Sequence, residues 1–224
     1  QYDHIFGSSL RDKHAWSRVV ALYYFKKNID SLNIENQTCT GVISGTEDEI
    51  ELNFIKTKKI KILSFEENKL FDLDTDWNFS KINKEQFSLT LCNQVLEHVF
   101  DIHKAFRNLC YVTKKKGYIW ITIPTLNCIH SEPYFYSSGY HQRMIERLAK
   151  NNNLSIIELG SWGSKRYMHN ALIGKWLYGN FLKKGIHKKS DLLFPFEIFK
   201  DGRCKDLENK PPIITDCWAL LKKQ

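Results

Sequence analysis

Between Phe87 and Pro124 the hydrophobic pattern changes period twice, and each change marks an element. Leu89 to Cys92 form an apolar run of strand length. Val95, Val99, Ile102, Ala105, Phe106 and Leu109 then recur at helical spacing, and Tyr118 to Ile123 return to a strand-like run. Lys114-Lys115-Lys116-Gly117 predicts the helix end, with cations at its negative pole and a glycine for the exit. Strand, helix and strand in this order make a parallel α/β unit. Ligands of open parallel sheets bind beyond the carboxyl ends of strands, so Asn93-Gln94 and Pro124-Thr125 mark the expected site.

The same pattern extends to both sides. Residues 14–27 predict a helix with Trp16, Val19, Val20, Tyr23 and Tyr24 on one face, followed by a polar junction from Asn28 to Gln37. Thr40 to Ser44 predict a first strand, Gly45 a turn, and the acids Glu47 to Glu51 the start of a helix that Thr46 and Asp48 can cap. Lys59 to Phe65 read as a second strand. The alternating acids Asp72, Asp74 and Asp76 lack the glycine and terminal glutamate of a calcium loop. Residues 161–213 are long for a connection inside one domain. Within them Asn170 to Leu182 predict a helix, and the stretch suits either a cap over the substrate or a homodimer surface.

CNQVLEHVFDIHKAFRNL followed by KKKGYIWITIP resembles the fourth and fifth strand region of class I S-adenosylmethionine-dependent methyltransferases. YFYSSGYHQRMIERLAKNNNLSIIELGSWG (134–163) is similar to the family's sixth strand with its preceding helix, and TDCWALLKK (215–223) to its closing strand. The resemblance implies a Rossmann-like α/β fold, a mostly parallel seven-stranded sheet with helices on both faces and an antiparallel last strand. It implies a single domain over 1–224, divided into a helical cap (1–37), a cofactor-binding core (38–160), an insertion (161–213) and the closing strand (214–224). It also implies S-adenosylmethionine as cofactor. The family's glycine-rich first turn is reduced here to Ser44-Gly45, with Thr46 and Glu49 beyond it, and Glu49 is a candidate for the cofactor's amino group. Ser64 and Glu66 fall where the family binds the ribose, with Glu66 preferred over Glu67. Asp72 and Leu73 fall where it contacts adenine, with Trp77 placed to cover the ring, and Asn93 and Gln94 complete the cofactor set.

Methyl transfer from a sulfonium is an in-line displacement that calls for no metal, only for contact and alignment. A hydroxyl acceptor needs a base as well. His130, in the loop after the fifth family strand, is the first choice; His98 is expected to brace the fourth-strand loop, and His141 to begin the next helix. Tyr134, Tyr140, Trp162, Arg166 and Tyr167 are the candidate substrate-binding residues. The reading is O-methylation of a small molecule or a glycan or capsule building block. Two alternatives stay open: a catalytically degenerate scaffold, motivated by the lost glycines, and an RNA methyltransferase, motivated by charge.

That charge is +8, but the lysines are spread and carry no nucleic-acid-binding signature, so a nucleic-acid partner is disfavoured and an anionic small acceptor suits the field. Six dispersed cysteines without a CxxC pair argue for a reduced, cytoplasmic setting and against a zinc site. No apolar run reaches the length of a membrane span.

Overall fold

The computed structural model describes residues 16–32, 34, 36–65, 71–79, 81–127, 129–163 and 214–224. Helix α1 (Trp16–Leu32) precedes β1 (Thr40–Ile43), β2 (Ile60–Leu63) and β3 (Phe87–Asn93); α2 (Ile102–Val112), β4 (Thr113–Pro124), α3 (Gln142–Asn151), β5 (Leu154–Trp162) and β6 (Asp216–Lys223) follow. The strands form one sheet in the order β2-β1-β3-β4-β6-β5. β2, β1, β3 and β4 are mutually parallel, and β6 runs antiparallel between β4 and β5. Among the described residues the sheet has six strands, where seven are expected. The stretch that would hold the family's third strand includes 66–70, which lie outside the described residues.

Period-2 alternation sends each strand's side chains to two separate cores. Ile119, Ile121 and Ile123 of β4, with Cys217, Ala219 and Leu221 of β6, face α2 and α3. Trp120, Trp218 and Leu220 face the opposite way, against Val20, Phe25 and Ile29 of α1. Tyr24 stacks on Trp218 at 5.0 Å between ring centroids, and Phe25 meets Trp120 at 5.1 Å. The apolar runs of β1 and β3 are therefore buried on both faces, as parallel strands between helices require.

Four local expectations are corrected. Helix α1 continues to Leu32 through the polar stretch predicted as a junction, because Asn28 turns its amide onto the Tyr24 carbonyl (2.8 Å) and Ile29 is wholly buried. The periodic run from Val95 is not one helix: Leu96–His98 is a single 3-10 turn, and α2 starts after Asp101, whose carboxylate accepts from the Lys104 N–H at 3.0 Å. Lys114 to Lys116 belong to β4 and not to a helix end. The Thr113 hydroxyl donates to the Leu109 carbonyl (2.7 Å), closing α2 before the lysines. The acids after Gly45 likewise lead into a five-residue 3-10 helix, Ile50–Phe54, that has no side-chain cap.

One glycine is dictated by packing. A Cβ at Gly160 on β5 would lie 2.4 Å from the buried Trp218 ring. Gly160→Ala is expected to destabilise the fold by about 1–3 kcal/mol in urea unfolding, whereas Ile157→Ala, on a half-exposed neighbour, is expected to change stability by less than about 1 kcal/mol.

Candidate active site

β1, β2 and β3 all end at the same edge, and their exits frame a cavity of about 450 Å³. Two of these exits are built by side-chain-bearing residues in left-handed backbone, Ser44 at φ 50° and Gln94 at φ 54°. Both turn the chain out of the sheet, and both line the cavity with Gly45, Thr46, Ser64 and Phe65. Gly45 is held to glycine by its neighbours: a Cβ there would lie 2.6 Å from Val42 Cγ1 and 2.8 Å from Glu49 Oε1.

The far wall is the Phe71–Asp74 segment, which α2 fixes from below. Asn108, buried on α2, donates to the carbonyls of Leu73 (3.0 Å) and Thr75 (2.7 Å) and accepts from the Trp77 N–H (3.2 Å). Asp74 accepts from the backbone N–H groups of Phe100 (3.0 Å) and Asp101 (2.6 Å), tying this wall to the start of α2. Asp72 accepts from the Asp74 N–H at 2.8 Å. Two aromatic pairs stand at the rim: Phe65 against Tyr134 at 5.1 Å, and Phe100 against Tyr136 at 5.6 Å.

Of the residues expected to bind cofactor, Ser44, Gly45, Thr46, Ser64, Asp72, Leu73 and Gln94 line this one cavity. Glu49 and Asn93 sit behind it. Arg18 of α1 reaches through to Glu49 Oε2 (2.8 Å) and Glu51 Oε2 (2.6 Å), Asn93 donates to the same Glu49 oxygen (3.0 Å), and Thr122 donates to Asn93 (3.1 Å). Glu49 is thereby committed to a guanidinium. Glu51 is wholly buried, and burial pushes its carboxyl up against the pull of Arg18. Trp77 is also corrected: it is fully buried against Phe71, its indole N–H donating to the Asp72 carbonyl (2.8 Å), and has no face to offer a ligand. Glu66 lies outside the described residues.

The expected catalytic histidines meet at the cavity mouth. His98 lines the cavity, and its ring lies 4.7 Å from that of His130, edge to face. His98 Nδ1–H donates to the Tyr134 carbonyl at 2.6 Å, so His98 does brace a loop, the one after β4. His141 caps α3, accepting from the Arg143 N–H (3.2 Å). Beneath the two histidines lies the buried Glu97, whose carboxyl burial, reinforced by nearby Asp216, pushes up to about 7. Of the described substrate candidates, only Tyr134 lines the cavity. Tyr140 is half-buried against the α2 and α3 core, and Trp162 is wholly buried on the α1 side because β5 alternation turns it inward. Arg166 and Tyr167 lie outside the described residues. Phe65, Asp74, Glu97 and Asn108 were not singled out from sequence; only the Glu-His pair at 97–98 carried a visible signal.

No protein-family model matches the chain, and no curated sequence matches it significantly. Solved structures do. A candidate sarcosine dimethylglycine methyltransferase from Galdieria sulphuraria superposes with a TM-score of 0.52 at 11% identity, over 100% of this chain and 95% of that one. The chain has the class I methyltransferase fold. The MccD protein superposes at 0.50 with 8% identity, over 90% of this chain and 97% of that one. At such identities the likeness extends to the fold and not to substrate. Within the methyltransferase fold, the strand-edge cavity occupies the position where open α/β sheets take ligands.

Arg18 ties α1 to the back of this site, and removing it leaves buried carboxylate charge uncompensated. Arg18→Ala is expected to cost about 3–5 kcal/mol at neutral pH. Burial places the folded-state Glu51 carboxyl above its unfolded value. Because that carboxyl stands at about 7 even beside Arg18, it is largely protonated in the parent at acid pH, and the charge-linked part of the deficit grows as pH rises through and above neutrality. Urea unfolding at pH 4 and pH 8 checks this: the deficit should be wider at pH 8, and Glu51→Gln in the same chain should narrow it.

Proposed function

We propose that the protein transfers a methyl group from S-adenosylmethionine to an oxygen of a small, anionic acceptor, a sugar-nucleotide or phosphorylated glycan precursor. The observation that carries the cofactor part is the convergence of seven independently expected residues on one cavity at the strand ends. Its volume of about 450 Å³ lies within the ~300–1,000 Å³ typical of ligand pockets. Ser64, Asp72 and Leu73 would hold the nucleoside, with Glu66 as the proposed ribose ligand; Ser44, Gly45, Thr46 and Gln94 would hold the methionine end. When bound, the cofactor supplies an electrophilic methyl on a sulfonium.

The chain's own work is then positioning and proton removal. Phe65 and Tyr134 close the rim and limit water. His98 is anchored by Tyr134, so the cluster at the mouth presents His130 as its outer, half-exposed member, suited to take the acceptor's proton. The formal charge of +8 favours an anionic acceptor through the long-range field.

Calorimetric titration with S-adenosylhomocysteine tests the cofactor reading, and the expected outcome is one site per chain. Gly45→Val should abolish it by driving a branched side chain into Val42 and Glu49. Absence of binding by the parent protein at millimolar ligand would leave a degenerate scaffold as the better account. For the chemistry, radiolabelled cofactor with a panel of nucleotide sugars and sugar phosphates should give a methylated product. His130→Ala should then lower turnover by about 10²–10⁴ with cofactor affinity retained.

A further inference from the structure

We propose that Glu97, His98 and His130 form a binding site for one divalent first-row transition-metal ion, at the mouth of the cofactor cavity. One ligand atom from each residue lies within 4.8 Å of the others. The three come from two segments, the Leu96–His98 turn after β3 and the loop after β4, so the fold and not one local motif assembles them.

Glu97 supplies the strongest argument. Its side chain is wholly buried, yet neither carboxylate oxygen has a hydrogen-bond partner among the described residues. Buried polar atoms are almost always satisfied, and an unpartnered carboxylate is among the costliest exceptions. The His98 Nε2 stands 3.9 Å from Glu97 Oε1, too far for a hydrogen bond. A cation between them would satisfy both.

His98 is already set up as a ligand. Its Nδ1–H donates to the Tyr134 carbonyl at 2.6 Å, which leaves the Nε2 lone pair directed away from that bond, on the Glu97 side. Metal-binding histidines characteristically donate the other ring N–H to a backbone carbonyl or carboxylate, fixing tautomer and orientation. His130 is placed by ring contacts to His98 (4.7 Å) and Phe135 (4.9 Å). Metal–ligand bonds of ~2.0–2.2 Å put donor atoms roughly 3–3.5 Å apart. From separations of up to 4.8 Å the cluster must therefore tighten by as much as about 1.3–1.8 Å, a movement assigned to His130 on its loop.

Two imidazoles and one carboxylate select manganese, iron, cobalt, nickel or zinc over magnesium and calcium, which prefer all-oxygen sites. Three protein ligands leave coordination positions open, and His98 and Tyr134 line the cavity, so those positions face the site. What the ion does there rests on the methyl-transfer reading; that it binds does not. With the ion bound, His130 serves as its ligand and no longer as the base: an acceptor hydroxyl on the ion would lose its O–H proton to water at near-neutral pH, the oxygen would attack the methyl carbon, and the carbon–sulfur bond would break.

The test uses full-length protein free of histidine tags, stripped with a chelator and titrated with Co²⁺ in the absence of cofactor. One equivalent should bind with visible ligand-field absorption, be displaced by Zn²⁺, and be indifferent to millimolar Mg²⁺. Glu97→Gln and His130→Ala should each weaken Co²⁺ binding at least about tenfold while their thermal melts confirm folding; His103→Ala, an exposed histidine on α2, should not. Equal Co²⁺ affinity in the parent and Glu97→Gln proteins would overturn the site. Separate titration with S-adenosylhomocysteine keeps the two readings apart: metal binding without cofactor binding removes only the methyl-transfer account. Full turnover in chelated protein would overturn the ion's catalytic role.

Discussion

The bridge from Arg18 to Glu49 and Glu51 is the interaction on which the site depends. A guanidinium on α1 crosses behind the carboxyl ends of the sheet and binds two of the acids that follow the first strand, Glu49 and Glu51. Asn93 and Thr122 extend the same network across β3 and β4. The turn after β1 carries only Gly45 where a run of glycines would otherwise shape it, so the backbone course must be set by something else. The buried acids held by Arg18 set it: Glu49 packs where a Cβ on residue 45 would go, and its carboxylate is neutralised from behind. A charge network in the protein interior here does the shaping that backbone flexibility does in a glycine-rich loop. Its cost is a dependence on α1, which packs Val20, Phe25 and Ile29 against the tryptophans of the sheet and so carries Arg18 to its place.

The opposite wall follows a parallel logic with neutral groups. Asn108 satisfies three backbone groups of the Leu73–Trp77 segment, and Asp74 satisfies two more at the start of α2. A segment without regular secondary structure is thereby pinned through its own polar groups, as buried irregular backbone must be. Both walls are rigid because their polar atoms are paired. Glu97 contrasts with these paired groups: neither of its buried carboxylate oxygens has a hydrogen-bond partner among the described residues.

The sheet and its helices were legible because burial on both faces writes a continuous apolar run into β3 and β4, and because α2 and α3 carry a periodic face. Element ends were less so. The lysines at 114–116 resemble a helix terminus, but the Thr113 hydroxyl ends α2 first and the strand absorbs the lysines around a register shift. The cavity residues that could be read were those at strand exits, where topology alone fixes position. Glu49, Asn93 and Trp77 misled for one reason: they are held by partners distant in the chain, Arg18, Glu49 and Asn108 respectively, which no local pattern encodes; Trp162 instead follows the alternation of β5 into the core. Asn108 was invisible for the same cause, a polar residue on an apolar helix face whose partners lie some 30 positions earlier in the chain.

His98 shows how a structural and a chemical role can coincide. The bond from Nδ1 to the Tyr134 carbonyl joins the turn after β3, where a brace was expected, to the loop after β4. That bond also decides the tautomer, and with it the character of Nε2. In a neutral imidazole a donor at Nδ1 leaves Nε2 an acceptor, so the neutral ring offers Glu97 a lone pair. In that state two acceptors, Nε2 of His98 and the Glu97 carboxylate, face each other at 3.9 Å. Protonating one of them relieves the confrontation by one hydrogen-bond donor, and a metal ion relieves it by a shared Lewis acid. The second would also engage His130, whose ring already meets those of His98 and Phe135.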